Sequence, residues 1–388
     1  MRTISVLFSF VISFWGLVSC DGRSGATLDD IDLIPLEDPD TREVSYYDLD
    51  GQVAIEKTFQ SADFFSDGLA KVTLGEYGDF RQVFINRQGE EVIDLSSYRA
   101  VTGFWNGLAW ALRDDGVFVA LSPDGDEAFT VPGKPISMFN SDQKALIQID
   151  QQTWGIVNGR GRITPIQTEY HIASTCEIHA DRLVVYSPDG AGVIDLEGRV
   201  IVPLGTYDEI EPYDINGYTV GRRRHGNPVL IDRNGQKVID KDWITLCVGK
   251  DWYFFVDRGT VFTDRGNEQR GWCDPHGTVR LSWPDLPIQY WQDFQGGEYV
   301  YFHLFMSQVK DNKTEAAIDR HGTVFFTDVR VQTPVLGKRV VLGSKEDHKV
   351  YLCSPDGSIL NPKAFYKPSI MEGLAYGRPY VGMAWIDD

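Results

Sequence analysis

The sequence lacks a second long apolar run: the only sustained one, Ile4–Val18, falls short of the ~20 residues a spanning helix needs. It is poor in positive charge, with 37 Lys and Arg against 56 Asp and Glu and a formal charge of −19. Nucleic acid is thereby excluded as a partner, because phosphate binding depends on clustered basic residues. Cysteine is scarce, five in 388 residues, which rules out a disulfide-dense scaffold. Gly-x-Ser-x-Gly, phosphate-loop and His-Glu-x-x-His motifs are all missing, so no specific catalytic site is read from the sequence and no cofactor is expected. What is present is 42% hydrophobic residues and 38 glycines, above the usual ~7%. That combination fits a folded, turn-rich protein.

Met1-Arg2, the apolar run and the small Ser19 and Cys20 form the layout of a secretory signal. Leu17-Val18-Ser19-Cys20 resembles the bacterial lipobox, which implies cleavage before Cys20 and lipidation of that residue. Several acyl chains anchor stably, since each buried CH2 contributes ~0.8 kcal/mol. The expected organisation is a signal peptide over 1–19, an acidic tether over 20–44 without sustained periodicity, and one domain over 45–388. The implied address is the bacterial cell envelope, on its periplasmic or surface face, with the membrane contacted through Cys20.

The domain is a repeat. An apolar arm, a polar turn ending in Gly and a second apolar arm recur as YYDLDGQVAI at 46, VFINRQGEEVI at 83, GIVNGRGRITPI at 155, GVIDLEGRVIV at 192, VLIDRNGQKVI at 229, GWCDPHGTVRL at 271, AIDRHGTVFF at 317 and YLCSPDGSIL at 351. A degenerate copy starts at 119. The turn glycines are Gly51, Gly89, Gly125, Gly161, Gly198, Gly235, Gly277, Gly322 and Gly357, at spacings of 35 to 45 residues. Asp or Asn bonds nearby backbone while Gly accepts the positive φ of a short hairpin loop, so each copy predicts a β-hairpin. Between hairpins lies FSDGLAKV at 65, FWNGLAWAL at 104 or MEGLAYG at 371, with echoes in ADRLVVY at 180 and INGYTVG at 215. Their alternation predicts a third strand, and connectors such as TYDEIEPY at 206 a short fourth.

These residues resemble the bacterial WG-repeat, or KWG-repeat, family. Trp154-Gly155-Ile156-Val157-Asn158 with Gly161, and Gly192-Val193-Ile194-Asp195 with Gly198, Val200, Ile201 and Pro203, then Tyr207-Asp208, match its unit. Only one unit keeps the Trp-Gly pair, and those around 240–345 are longer and irregular. The resemblance implies an interaction module and no known chemistry.

Four strands of ~5 residues and four loops of ~4 suit one blade of a β-propeller. The fold class is all-β, a propeller-like array of three- to four-stranded units, with an open β-superhelix as the alternative. Nine units exceed the usual four to eight blades. Closure is expected through the chain ends, because 381–387 reads as a hairpin arm without a partner and the hairpin at 46–55 resumes near that phase. Closing the ring removes exposed strand edges.

Candidate sites are few. Cys176, Cys247, Cys273 and Cys353 lie in different repeats without paired spacing, and read as small buried strand residues. His171, Cys176 and His179, or Cys273 and His276, do not supply the four convergent ligands zinc wants, so no metal is expected. Asp48-x-Asp50-Gly51 is a turn rather than a calcium loop. The basic run Arg222-Arg223-Arg224-His225 reads as a solvated edge whose neighbours point to opposite faces. Aromatics crowd residues 252–305, where Trp272, Trp283 and Trp291 beside Asp285 and Asp293 form a candidate ligand site for a sugar or peptide. The leading reading is an envelope-anchored binding or scaffolding lipoprotein whose partner is a protein or glycan of the cell envelope. The alternative is a carbohydrate-binding or carbohydrate-active protein using the aromatic cluster.

Overall fold

The computed structural model describes residues 30–366, apart from 77–78, 173–177, 215, 249–252, 258–269, 284–287, 293–298, 305–314, 320, 328, 334 and 346–348. Among the described residues there are strands and turns and no α-helix. Seven four-stranded antiparallel sheets follow in chain order, and an eighth sheet has seven strands. That eighth sheet unites the two ends of the described chain. Leu33–Glu37, Val44–Asp48 and Val53–Phe59 come from the start; Arg330–Val331, Val341–Ser344, Lys349–Cys353 and Phe365–Tyr366 come from the end. The two groups touch by pairing only at Glu37 and Tyr366. Counted as packing units, the sheets are therefore nine: 1 (33–59), 2 (61–94), 3 (98–131), 4 (134–166), 5 (171–207), 6 (209–239), 7 (243–283), 8 (288–327) and 9 (330–366).

Nine apolar clusters fill the spaces between successive sheets. A row of nine sheets has one joint fewer than it has sheets. The extra cluster packs Ile34, Leu36 and Tyr47 of sheet 1 against Leu342, Val350 and Leu352 of sheet 9, which closes the array. The result is a β-propeller-like ring and not an open superhelix. Period-two alternation explains it: Tyr46 packs toward sheet 2 and its neighbour Tyr47 toward sheet 9. Likewise Tyr253 and Phe255 face sheet 6 while Phe254 and Val256 face sheet 8. Strands buried on both faces must be apolar on both, and each such side chain contributes ~1.5–3 kcal/mol.

The hairpin chemistry is as the residues predict. Asp48, Asn86, Asn158, Asp195, Asp232, Asp274 and Asp319 each accept, through one side-chain oxygen, the amides two and four residues on, at 2.7–3.0 Å. The turn glycine has a second task that spacing alone does not reveal. Gly198, at φ 86°, rests against the preceding sheet so closely that a Cβ would lie 1.9 Å from the Gln167 carbonyl oxygen. Positive φ and close approach together demand glycine there.

Within a full sheet the connector forms the first strand, the Gly-Leu-Ala segment the second and the hairpin the third and fourth, as in Ser61–Ala62, Ala70–Leu74, Arg81–Ile85 and Glu91–Asp94. The uncertain connector strand is real: Glu209–Ile210 pairs with the Tyr218–Arg222 strand. One expectation is corrected. The acidic tether over 20–44 contains a strand, Leu33–Glu37, which pairs with Val44–Asp48 in full register and buries Ile34 and Leu36 completely. Closure accordingly occurs at this strand rather than at the hairpin over 46–55. Residues 371–377 and 381–387, and the signal segment with Cys20, lie outside the described residues.

Candidate functional site

Most of the repeat's characteristic residues are consumed by the architecture just described, so a functional site is sought where units depart from the pattern. In sheets 2, 3 and 5 the second strand is entered by a tight turn. In sheets 2 and 3 that turn is Asp67-Gly68 (φ 51° and 82°) and Asn106-Gly107 (φ 55° and 83°), the residue types that tolerate left-handed backbone. Sheet 5 places Ala180 and Asp181 there, at φ 51° and 57°. Left-handed backbone at a non-glycine residue costs ~1–2 kcal/mol, least for Asp, whose short side chain bonds locally. The departure sets a carboxylate where sheets 2 and 3 have no side chain.

Around Asp181 the turns of three sheets border an open cleft of about 490 Å3. Lys144 enters from sheet 4, Arg182, Asp195, Glu197 and Arg199 from sheet 5, and Arg233 from the hairpin of sheet 6. Lys144 Nζ lies 2.8 Å from Asp181 Oδ1, tying sheets 4 and 5 together. Arg199 bridges two carboxylates, Nε to Asp195 at 2.6 Å and a terminal nitrogen to Glu197 at 2.9 Å. Burial opposes ionisation of Asp195, yet the amides of Arg199 and Glu197 and the Arg199 guanidinium hold it below the usual carboxylate range. Arg182 and Arg233 behave differently. Arg182 Nε donates to the Arg233 carbonyl at 2.7 Å and its NH1 to the Asp181 carbonyl at 2.9 Å, while Arg233 donates to the Ala180 carbonyl at 3.3 Å. Both guanidiniums are thus fixed by backbone oxygens, which carry no formal charge to offset theirs.

The residues singled out from sequence are placed as follows. Trp272 is 2% exposed, its ring edge-on to Phe254 at 5.6 Å in the joint between sheets 7 and 8. Its faces meet protein, so it is a packing residue. Trp283 ends the Val279–Trp283 strand and Trp291 lies on Ile288–Gln292, the next strand in sequence, in the next sheet; Asp285 and Asp293 lie outside the described residues. Of the other aromatics in that stretch, Tyr253, Phe254, Phe255 and Tyr301 are core. Sheet packing therefore accounts for much of the aromatic density. Cys273 and Cys353 are buried free thiols, burial pushing them up to about 12 and about 11. His276 is exposed on the adjacent turn, away from the buried Cys273. No metal-ligating cluster of three groups occurs among the described residues.

The basic run splits as strand alternation requires. Arg222 pairs with Glu211, Nε at 3.1 Å, and reaches the Leu246 carbonyl at 2.9 Å. Burial pushes Glu211 up, and Arg222 opposes that shift. Arg223 turns the other way, over the Tyr207 ring at 5.5 Å and onto the Thr206 carbonyl at 2.8 Å. Arg224 and His225 are exposed. The cleft itself escaped the sequence reading because its residues sit in copies of the repeat that look ordinary one at a time. The missing glycine at Ala180-Asp181 is the signal that could have drawn attention to it.

Comparison with known proteins adds the following. The WG containing repeat matches residues 45–77, 84–116 and 192–220. Each match runs from a hairpin of one sheet into the first two strands of the next, so the sequence repeat is offset by two strands from the structural one. No curated protein matches the chain. Among solved structures, a eukaryotic initiation factor superposes with a TM-score of 0.58 at 10% identity, covering 87% of this chain and 98% of that one. BamB from Moraxella catarrhalis, at 15% identity, gives 0.36 over 78% of this chain and 95% of its own, and AztD from Citrobacter koseri, at 14% identity, gives 0.33 over 79% and 95%. Identities this low speak to fold alone. The chain is a β-propeller-like repeat protein that carries WG containing repeats at three places.

Proposed function

We propose that this protein is a binding or scaffolding module of the bacterial cell envelope, anchored through lipidated Cys20 and engaging a protein or glycan partner. One observation carries the reading: among the described residues, the turns of three sheets assemble a charged cleft in addition to the hairpin bonds and apolar faces that build the ring. A closed ring offers a rigid platform for such a surface at little conformational cost on binding. The anchor rests on Leu17-Val18-Ser19-Cys20, and the first described strand, Leu33–Glu37, stands at the ring's closure, which leaves roughly a dozen residues between Cys20 and the body.

Fractionation of cells expressing the full chain tests the anchor. Cys20→Ala should move the exported protein from the membrane to the soluble fraction, and a mutant that stays membrane-bound refutes lipidation. A glycan array probes the partner class: binding lost in both Trp283→Ala and Trp291→Ala would favour the carbohydrate reading, while an array with no bound sugar removes it.

A further inference from the structure

We infer that the cleft between sheets 4, 5 and 6 is a docking site for a carboxylate-bearing peptide segment of a protein partner, seated on Arg182 and Arg233. The inference rests on the binding role proposed above and names the chemistry of the partner.

Lys144 is matched by Asp181, and Arg199 serves both Asp195 and Glu197, so these five groups sum to one negative charge. Arg182 and Arg233 add two positive charges that no carboxylate meets among the described residues. The cleft is a small positive island in a chain whose formal charge is −19. A guanidinium has five N–H donors. Arg182 uses two of its donors on backbone carbonyls and Arg233 one, leaving forks with free capacity in a concave site. Paired N–H donors in a planar fork match the two oxygens of a carboxylate.

The surroundings choose among anions. Asp195 and Glu197 stand on the wall formed by the sheet 5 hairpin. A dianionic phosphate would meet their repulsion with only one net positive charge to offset it. A peptide carries single carboxylates spaced by amides and, where basic residues alternate, cations that suit Asp195 and Glu197. The mixed polarity of the lining therefore favours a peptide of alternating charge over a phosphate. Arg182 is held by two backbone carbonyls, one of them on the sheet 6 hairpin, so binding has little ordering to impose on it.

Fluorescence anisotropy on the purified mature chain tests the idea, with three labelled, end-capped decapeptides: alternating Glu and Lys, Glu with Gly, and Lys with Gly. The Glu-containing peptides should bind and the Lys-Gly peptide should not. Arg182→Gln/Arg233→Gln should weaken the Glu peptides at least tenfold, with circular dichroism and the melting temperature showing the ring intact. Should the double variant fail to fold, Arg233→Gln alone decides, since it breaks only the 3.3 Å bond of an exposed side chain; at least threefold weakening is expected. Equal binding of all three peptides, no binding of any, or undiminished binding by the variant overturns the inference. So does displacement of the Glu-Lys peptide by equimolar inorganic phosphate, which would make this a phosphate site. None of these results bears on Cys20 or on Trp283 and Trp291, so the anchor and the glycan reading stand or fall by the separate tests given for them.

Discussion

The joint between sheets 5 and 6 and the joint between sheets 9 and 1 do the same mechanical job by different means. At the first, the chain runs from Tyr207 through Asp208 into the next sheet, and apolar packing only has to hold what covalent continuity already places. At the second, residues 289 to 316 positions apart must find one another. Here the apolar cluster is supplemented by a single strand pair at Glu37 and Tyr366, by Arg339 to Asp50 at 2.6 Å, by Asn361 to the Gly51 carbonyl at 3.2 Å and by Lys363 to the Tyr47 hydroxyl at 2.9 Å. Arg42 also lies 3.8 Å over the Tyr366 ring. Polar ties also cross between sheets 5 and 6, from Arg182 to the Arg233 carbonyl, Arg233 to the Ala180 carbonyl and Arg223 to the Thr206 carbonyl; what sets the closing joint apart is that its ties must also offset the entropy of closing the longest loop.

The largest test of that contrast compares two fully buried leucines. Leu36→Ala at the closing joint and Leu146→Ala between sheets 4 and 5 should each cost about 2–5 kcal/mol in urea unfolding. A loss below about 1 kcal/mol for Leu36→Ala alone would mean the closing joint contributes little to stability and would break the comparison. Glycine substitution sharpens it next. A Cβ at Gly198 strikes backbone, whereas one at Gly51 meets only the Asn361 side chain, which can swing away. Gly198→Ala should therefore cost about 2–3 kcal/mol and Gly51→Ala about 1 kcal/mol, mostly the positive φ; similar losses at the two sites would show that strain, not contact, decides both.

Acid titration separates the regions more gently. Asp195 is held below its ordinary value, so the unfolded chain binds the proton first and the stabilisation is present above the ordinary carboxylate range, then lost as pH falls through the depressed value. Asp38, at the closing joint, is lowered by the amides of Thr41 and Asp40 and by Lys363 and works in the same sense. Asp63 and Glu211 are raised by burial, so in the window between ordinary and raised values their contribution runs the other way, stability falling as pH rises. Asp195→Asn should flatten the fall in thermal stability below pH ~4, and an unchanged acid limb would discount the hairpin bonds as its source. The smallest effect is expected from Lys363→Ala. The side chain is 44% exposed, and its loss should cost no more than about 1 kcal/mol and less still at high salt.

How far the molecule could be read beforehand depends on the range of the interaction involved. The hairpin of sheet 5 was legible because Asp195 bonds residues two and four places on and Gly198 turns the chain within the same span. The strand at 33–37 was obscured by the acidic residues and prolines around it, since its apolar alternation matters only once Tyr47 and Leu342 are alongside. Trp272 looked like a ligand platform because local density of aromatics does not distinguish a ring in a cleft from a ring between sheets. The site at Arg182 and Arg233 is a matter of two residues about fifty positions apart, each unremarkable in its own repeat.

By itself the sequence determined the unit: its hairpin, its turns and the alternating strand between hairpins, because hairpin bonds and side-chain alternation act within a few residues. Tertiary structure alone decided that nine units close into a ring, that the closing partner is Leu33–Glu37, and that two arginines share a cleft with no carboxylate paired to them among the described residues. Those outcomes depend on contacts between segments far apart along the chain, and a residue's neighbours in space are set only when the sheets have stacked.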